Sequence, residues 1–156
     1  MIMRTQSGSG LVEVVVASAI MSFVALAFLG TFATLSRFHQ RDMLAIKGQL
    51  LAEEGLESIR LIKGLGWSSL SSIPVNQDRY LSIATSSWGV TTTPELIDGL
   101  FYRSFRLLSV SRDASDSIVS SGGTVDPNTL RARVSVSWPW RNATSTVSYE
   151  TYVTDF

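Results

Sequence analysis

Hydrophobic and polar positions change rhythm along this chain. Residues 14–36 read VVVASAIMSFVALAFLGTFATLS, 23 positions without a charged side chain. As a helix rising about 1.5 Å per residue, the run reaches about 35 Å. A hydrocarbon core takes about 20 such residues, and the apolar part of a cleavable secretory signal only about 7–15. The run predicts a membrane-crossing helix, and the polar residues from Arg37 to Asp42 close it. Next comes a stripe at helical period. Leu51, Gly55, Ile59 and Ile62 recur three and four apart, flanked by Ala52 and Leu56, with Glu53, Glu54, Glu57 and Arg60 on the wet side. Lys63 and Gly64 form a stop signal. No proline interrupts residues 9–63, so a single helix is expected there, apolar all round at first and on one face afterwards.

From Gly64 onward the period is two. Leu81 and Ile83 share a face in 79–85, and Phe101, Phe105 and Leu107 share one in 101–110. Leu130, Ala132, Val134, Val136 and Trp138 alternate with Arg131, Arg133, Ser135 and Ser137. Val147, Tyr149 and Val153 line up in 146–154. Alternation of this kind predicts an antiparallel sheet buried on one face. Loops are expected at Ser71-Ser72 with Pro74, Thr93-Pro94, Ser121-Gly122-Gly123 and Asp126-Pro127-Asn128, with a turn at Pro139, Arg141 and Asn142. The expected fold is α+β. A long N-terminal helix packs its amphipathic half on a C-terminal antiparallel sheet of about four strands. The segments are 1–8, 9–36, 37–63 and a sheet domain over 64–156.

Composition removes several function classes. Thirteen basic and 13 acidic residues balance, which argues against a nucleic-acid binder. No cysteine is present, so disulfides, thiolate nucleophiles and cysteine-held zinc are excluded. No phosphate-binding glycine loop or G-x-S-x-G occurs. The single histidine, His39, reads as an interfacial residue. Asp113, Asp116 and Asp126 read as turn residues, with calcium ligation as the alternative. Glu53, Glu54 and Glu57 read as a solvated helix face, with an acid site as the alternative. Trp138 reads as core, and Trp140 is open between core and a binding platform. Asn142-Ala143-Thr144 fits a glycosylation sequon. No catalytic residue, metal site or cofactor is expected. Arg4 lies on one side of the apolar run and Arg37 and Arg41 on the other, so charge leaves its orientation open.

One residue of the apolar segment does not fit a bland anchor. Glu13 stands at its mouth, in QSGSGLVEVVVASAI. A carboxylate in a span marks function by default, and snorkelling to the interface is the alternative reading. The residues around it resemble the start of a type IV pilin-like protein: a short basic leader ending in Gly8, then LVEVVVASAI with glutamate as fifth residue after the cut. LLAEEGLESIRLIKG and the ending DPNTLRARVSVSW…STVSYETYVTDF are similar to minor pilins and to the minor pseudopilins of type II secretion. The resemblance implies leader removal after Gly8 by a prepilin peptidase and methylation of the new amine on Ser9. It implies a cytoplasmic N-terminus in the inner membrane, an extracytoplasmic head, and subunit assembly through Glu13. Its implied partners are other pilin or pseudopilin subunits, the peptidase, an inner-membrane assembly platform and lipid. Ser9 and Gly10 depart from the family, which usually opens on phenylalanine or methionine. A cut after Gly10 would leave Glu13 third. The contrasting expectation is a single-span anchored binding or adhesin domain that is never processed.

Overall fold

The computed structural model describes residues 9–84 and 87–155. The order of elements is α1 (Ser9–Gly64), α2 (Ser68–Ser71), β1 (Asp78–Ala84), β2 (Ser87–Thr91), β3 (Leu96–Ile97), β4 (Phe101–Arg112), β5 (Ile118–Val119), β6 (Thr124–Trp140) and β7 (Ala143–Thr154). The fold is α+β, as the two periodicities predict, and α1 ends at the expected glycine. The chain divides into two compact units, one ending at Met43 and one beginning at Leu44.

In the first unit α1 runs without a break through Gly30. The hydroxyls of Ser18, Ser22, Thr31 and Thr34 donate to carbonyls three or four residues back, those of Val15, Ser18, Ala27 and Gly30. Each of these four hydroxyls is thereby satisfied inside its own helix, as an apolar surrounding requires.

The second unit is a helix on a sheet. The main path of the sheet is β2-β1-β4-β6-β7, with β3 and β5 added to β4. All pairings are antiparallel. β4 and β6 form its centre, where Phe105 faces Val134 and Leu107 faces Ala132. The predicted alternation carries the core. Leu130, Ala132, Val134, Val136 and Trp138 are buried beneath α1, whose buried stripe is Leu51, Ala52, Ile59 and Ile62.

Close approach explains two glycines of that helix. A Cβ at Gly48 would stand 2.5 Å from the Trp138 ring, and one at Gly55 would stand 2.8 Å from Val134 Cγ1. Seven residues, about two helical turns, separate them. The two positions let the helix backbone settle on two same-face residues of β6, Val134 and Trp138.

The strand count departs from expectation, with seven strands among the described residues against about four. The four expected segments are β1, β4, β6 and β7. β3 and β5 have two residues each, too few to show a period, and β2 carries Gly89 in its middle. Ile83 is a second departure. It was expected to share the buried face of Leu81, yet it is 65% exposed while Leu81 is 4% exposed. β1 pairs with β4 only at Asp78 and Arg79, then leaves it to pair with β2, so Ile83 has no layer above it. The Asp126-Pro127-Asn128 loop signal falls inside β6. It appears there as an irregularity: Ser109 of β4 faces Leu130 while Val110 faces Asp126. Proline has no N–H for the ladder, and the skipped residues include it.

Candidate functional site

α1 places the sequence-predicted assembly residues on its first turns. Gly8 and the rest of segment 1–8 lie outside the described residues. Ser9 is the first described residue of the helix, and Glu13 follows four positions later. Residues four apart share a helix face, about 6 Å apart along the axis. Glu13 is exposed, and no hydrogen bond or ion pair reaches it among the described residues. Its neighbours are apolar and uncovered: Leu11, Val12, Val14, Val15 and Val16 are each more than half exposed. The exposure continues through Phe23, Phe28 and Phe32 to Leu35. The helix is long and apolar enough to cross a membrane. A carboxylate on such a surface needs a partner, or water at an interface, to stay charged at low cost. His39, Arg37, Arg41 and Asp42 are all exposed beyond the apolar run.

The remaining candidates lie in the second unit. Trp138 is core, 5% exposed and tilted against Phe101 at 5.6 Å between ring centroids. The platform reading therefore loses it, while Trp140 is half-buried beside the turn. That turn is the two-residue loop Arg141-Asn142, with Trp140 opposite Ala143. Arg141 adopts φ 56° and lays its guanidinium over the Trp140 ring.

The aspartates are occupied by the protein itself. Asp113 Oδ1 accepts the amides of Ser115 and Ser117. Asp126 accepts from Arg112 Nε at 2.7 Å and from the Asn128 amide at 2.9 Å. The Arg112 guanidinium, then the Thr129 hydroxyl and the Asn128 amide, hold the Asp126 carboxyl at about 2, well below its usual value. No group of three or more possible metal ligands comes together among the described residues. Glu57 pairs with Arg60 at 3.1 Å, as helical neighbours do.

Arg103 is the residue the sequence reading passed over. It lies on the inward face of β4 between Phe101 and Phe105, with 5% of its side chain exposed. Its Nη1 donates to the Leu51 carbonyl at 3.2 Å and pairs with Glu54 at 3.0 Å. Its guanidinium lies 5.1 Å from the Trp88 ring, and its buried Nε has no partner. Period-two counting places 103 on the core face, and that was the available signal. Glu54, exposed like Glu53 and Glu57, is thus the carboxylate that pairs with a buried cation. No protein-family model, no characterised protein and no solved structure matches this chain.

Proposed function

We propose that this chain is a structural subunit, a minor pilin or pseudopilin, of a type IV pilus or a related filament. It is made with a leader that a prepilin peptidase removes after Gly8, and the amine of Ser9 is then methylated. The observation that carries the reading is Glu13. It is a lone carboxylate without a partner among the described residues, one helical turn into an uncovered apolar helix whose continuation covers an antiparallel sheet.

The physical account runs through burial. Before assembly the apolar stretch sits in the inner membrane as a single span, with its head outside the cytoplasm. In a filament the apolar helices pack together and exclude water. The new amine of an incoming subunit must enter that packing, and an unpaired buried charge is strongly disfavoured. Glu13 of a neighbouring subunit neutralises it, so the pair rewards one axial stagger. Apolar contacts around residues 14–32 supply most of the attraction. Neither enzyme chemistry nor a cofactor enters this role.

Two measurements test the proposal. Glu13→Ala should insert into the membrane as before and fail to assemble. Mass spectrometry of assembled protein should find the chain starting at a methylated Ser9. Assembled material that retains Met1 would overturn the reading. The competing function, an anchored binding domain, needs neither Glu13 nor cleavage, so independence from a prepilin peptidase selects it.

A further inference from the structure

A row of charges crosses four strands on the outer face of the sheet. In register, Asp78 of β1 faces Arg106 of β4, Arg106 faces Arg133 of β6, and Arg133 faces Glu150 of β7. Alternation puts this row on the side of the sheet opposite Phe105 and Val134. The two arginines thus stand directly across from one another at the centre of the sheet, where like charges cost stability. Each is held by a carboxylate on its outer neighbour. Arg106 Nε and Nη2 meet Asp78 Oδ1 at 2.9 and 2.8 Å, and Arg133 Nε meets Glu150. Glu150 is shared, since Arg131 also pairs with it at 3.6 Å. Three arginines against two carboxylates leave one positive charge over. A guanidinium also carries more N–H donors than a single carboxylate accepts. The surface here dips into a cavity of about 250 Å³, lined by Arg106, Arg133, Ser104, Ser135, Asp78 and Phe105. Ser104 and Ser135 face each other in the next outward row, and the Ser135 hydroxyl also meets that of Ser148 at 2.8 Å.

We propose that this cavity is a binding site for a single phosphoryl group. The donors name the chemistry. Guanidiniums only donate, serine hydroxyls can donate as well, and a phosphoryl group offers them more acceptor oxygens than a carboxylate does. The surplus of one positive charge matches a singly charged group, a phosphate monoanion or a phosphodiester. Nucleic-acid backbones bind through many cations in succession. Here Asp78 and Glu150 close both ends of the row, so one isolated group fits and a polyanion does not. The bound anion also relieves the repulsion between Arg106 and Arg133, and it stabilises the folded head by mass action. The inference does not rest on the pilin reading.

The test uses the full chain in micelles of an uncharged detergent, with nitrogen-labelled arginine side chains read by NMR. Inorganic phosphate is titrated at about pH 5.5, where it is mostly a monoanion, with chloride holding the ionic strength constant. The Nε signals of Arg106 and Arg133 should shift together and saturate, with a half-point on the order of 1 mM. Those of Arg37, Arg41 and Arg60 should stay in place. Arg133→Gln should abolish the shift at Arg106. Ser104→Asp puts a carboxylate of the chain itself into the cavity and should raise the half-point at least ~10-fold while keeping both arginines. Tryptophan fluorescence during denaturation checks that each variant keeps a folded head, and if Arg133→Gln does not, Ser104→Asp decides alone. A second titration mixes phosphatidylglycerol into the micelles. A shift with the lipid that Ser104→Asp cancels assigns the site to headgroups, and a shift with the free ion alone assigns it to soluble phosphates. Shifts that chloride reproduces, that every arginine shares or that survive Ser104→Asp would overturn the proposal, as would no shift with either ligand.

Discussion

Two phenylalanines state the contrast between the two units. Phe28 is 68% exposed and Phe105 is 1% exposed. Both lie in strongly apolar stretches. Phe105 finds Val134 opposite it on β6 and a helix above it, so its burial is completed by the chain itself. Phe28 belongs to a stretch that is apolar on every side, which one helix cannot bury against itself. Apolarity on one face is therefore solved within the molecule, and apolarity all round only by lipid or by other molecules. Glu13 repeats the contrast in charge. Arg103 meets Glu54 inside its own unit, whereas Glu13 has no partner among the described residues.

The largest test of the contrast is Glu13→Ala. We expect assembly to be lost, with head stability unchanged within about 0.5 kcal/mol. All four tryptophans, Trp67, Trp88, Trp138 and Trp140, lie in the second unit, so their fluorescence during denaturation reports on the head alone. Next comes the core. Phe105→Ala should destabilise the head by about 3–5 kcal/mol, the range for emptying a buried aromatic site. Phe28→Ala should leave the same fluorescence transition in place. If the two substitutions shift it equally, the units are not energetically separate.

A smaller effect is expected at the buried cation. Glu54→Gln removes the negative partner of Arg103 but keeps an acceptor oxygen, and because Glu54 is half exposed it should cost about 0.5–1 kcal/mol. Arg103→Met should be close to neutral, since it places an apolar side chain of similar size at a buried position and leaves the Glu54 carboxylate exposed to water. It also removes the orphaned Nε.

The smallest effect is local and set by pH. Asp126 is held at about 2, below its unfolded value near 3.8, chiefly by Arg112. A depressed carboxylate contributes stability that is present above the unfolded value and lost as pH falls through the folded one. The β4–β6 irregularity should therefore loosen between about pH 4 and 2. Asp126→Asn should remove that acid dependence in hydrogen exchange across 124–130.

Much of this architecture was legible in the residues. The charge-free run from Val14 to Ser36 announced a helix long and apolar enough to cross a membrane, and the 51–62 stripe announced which helix face would be covered. The clean alternation of 130–138 named the centre of the sheet. Ile83 failed because alternation reports a half-buried strand without saying where its partner strand ends. Arg103 was passed over: period two puts it on the core face, but only the fold supplies the helix carbonyl, carboxylate and indole that surround it. Gly48 carried no signal, since only its approach to Trp138 requires a bare backbone. The proposed assembly residues rest on motif resemblance alone. Glu13 is exposed, Ser9 opens the described helix, and Gly8 lies outside the described residues.

The sequence by itself determined the periods: apolar on all sides, then on one face, then alternating. Those periods depend on backbone geometry, which repeats every 3.6 or 2 residues whatever lies nearby. Only the tertiary structure decided partners. It chose Glu54, Leu51 and Trp88 for Arg103, Arg112 for Asp126, and no described strand for the outer side of β7. Partnership joins residues far apart in the chain, as with Arg103 and Leu51, 52 positions apart. Local periodicity carries no information at that range.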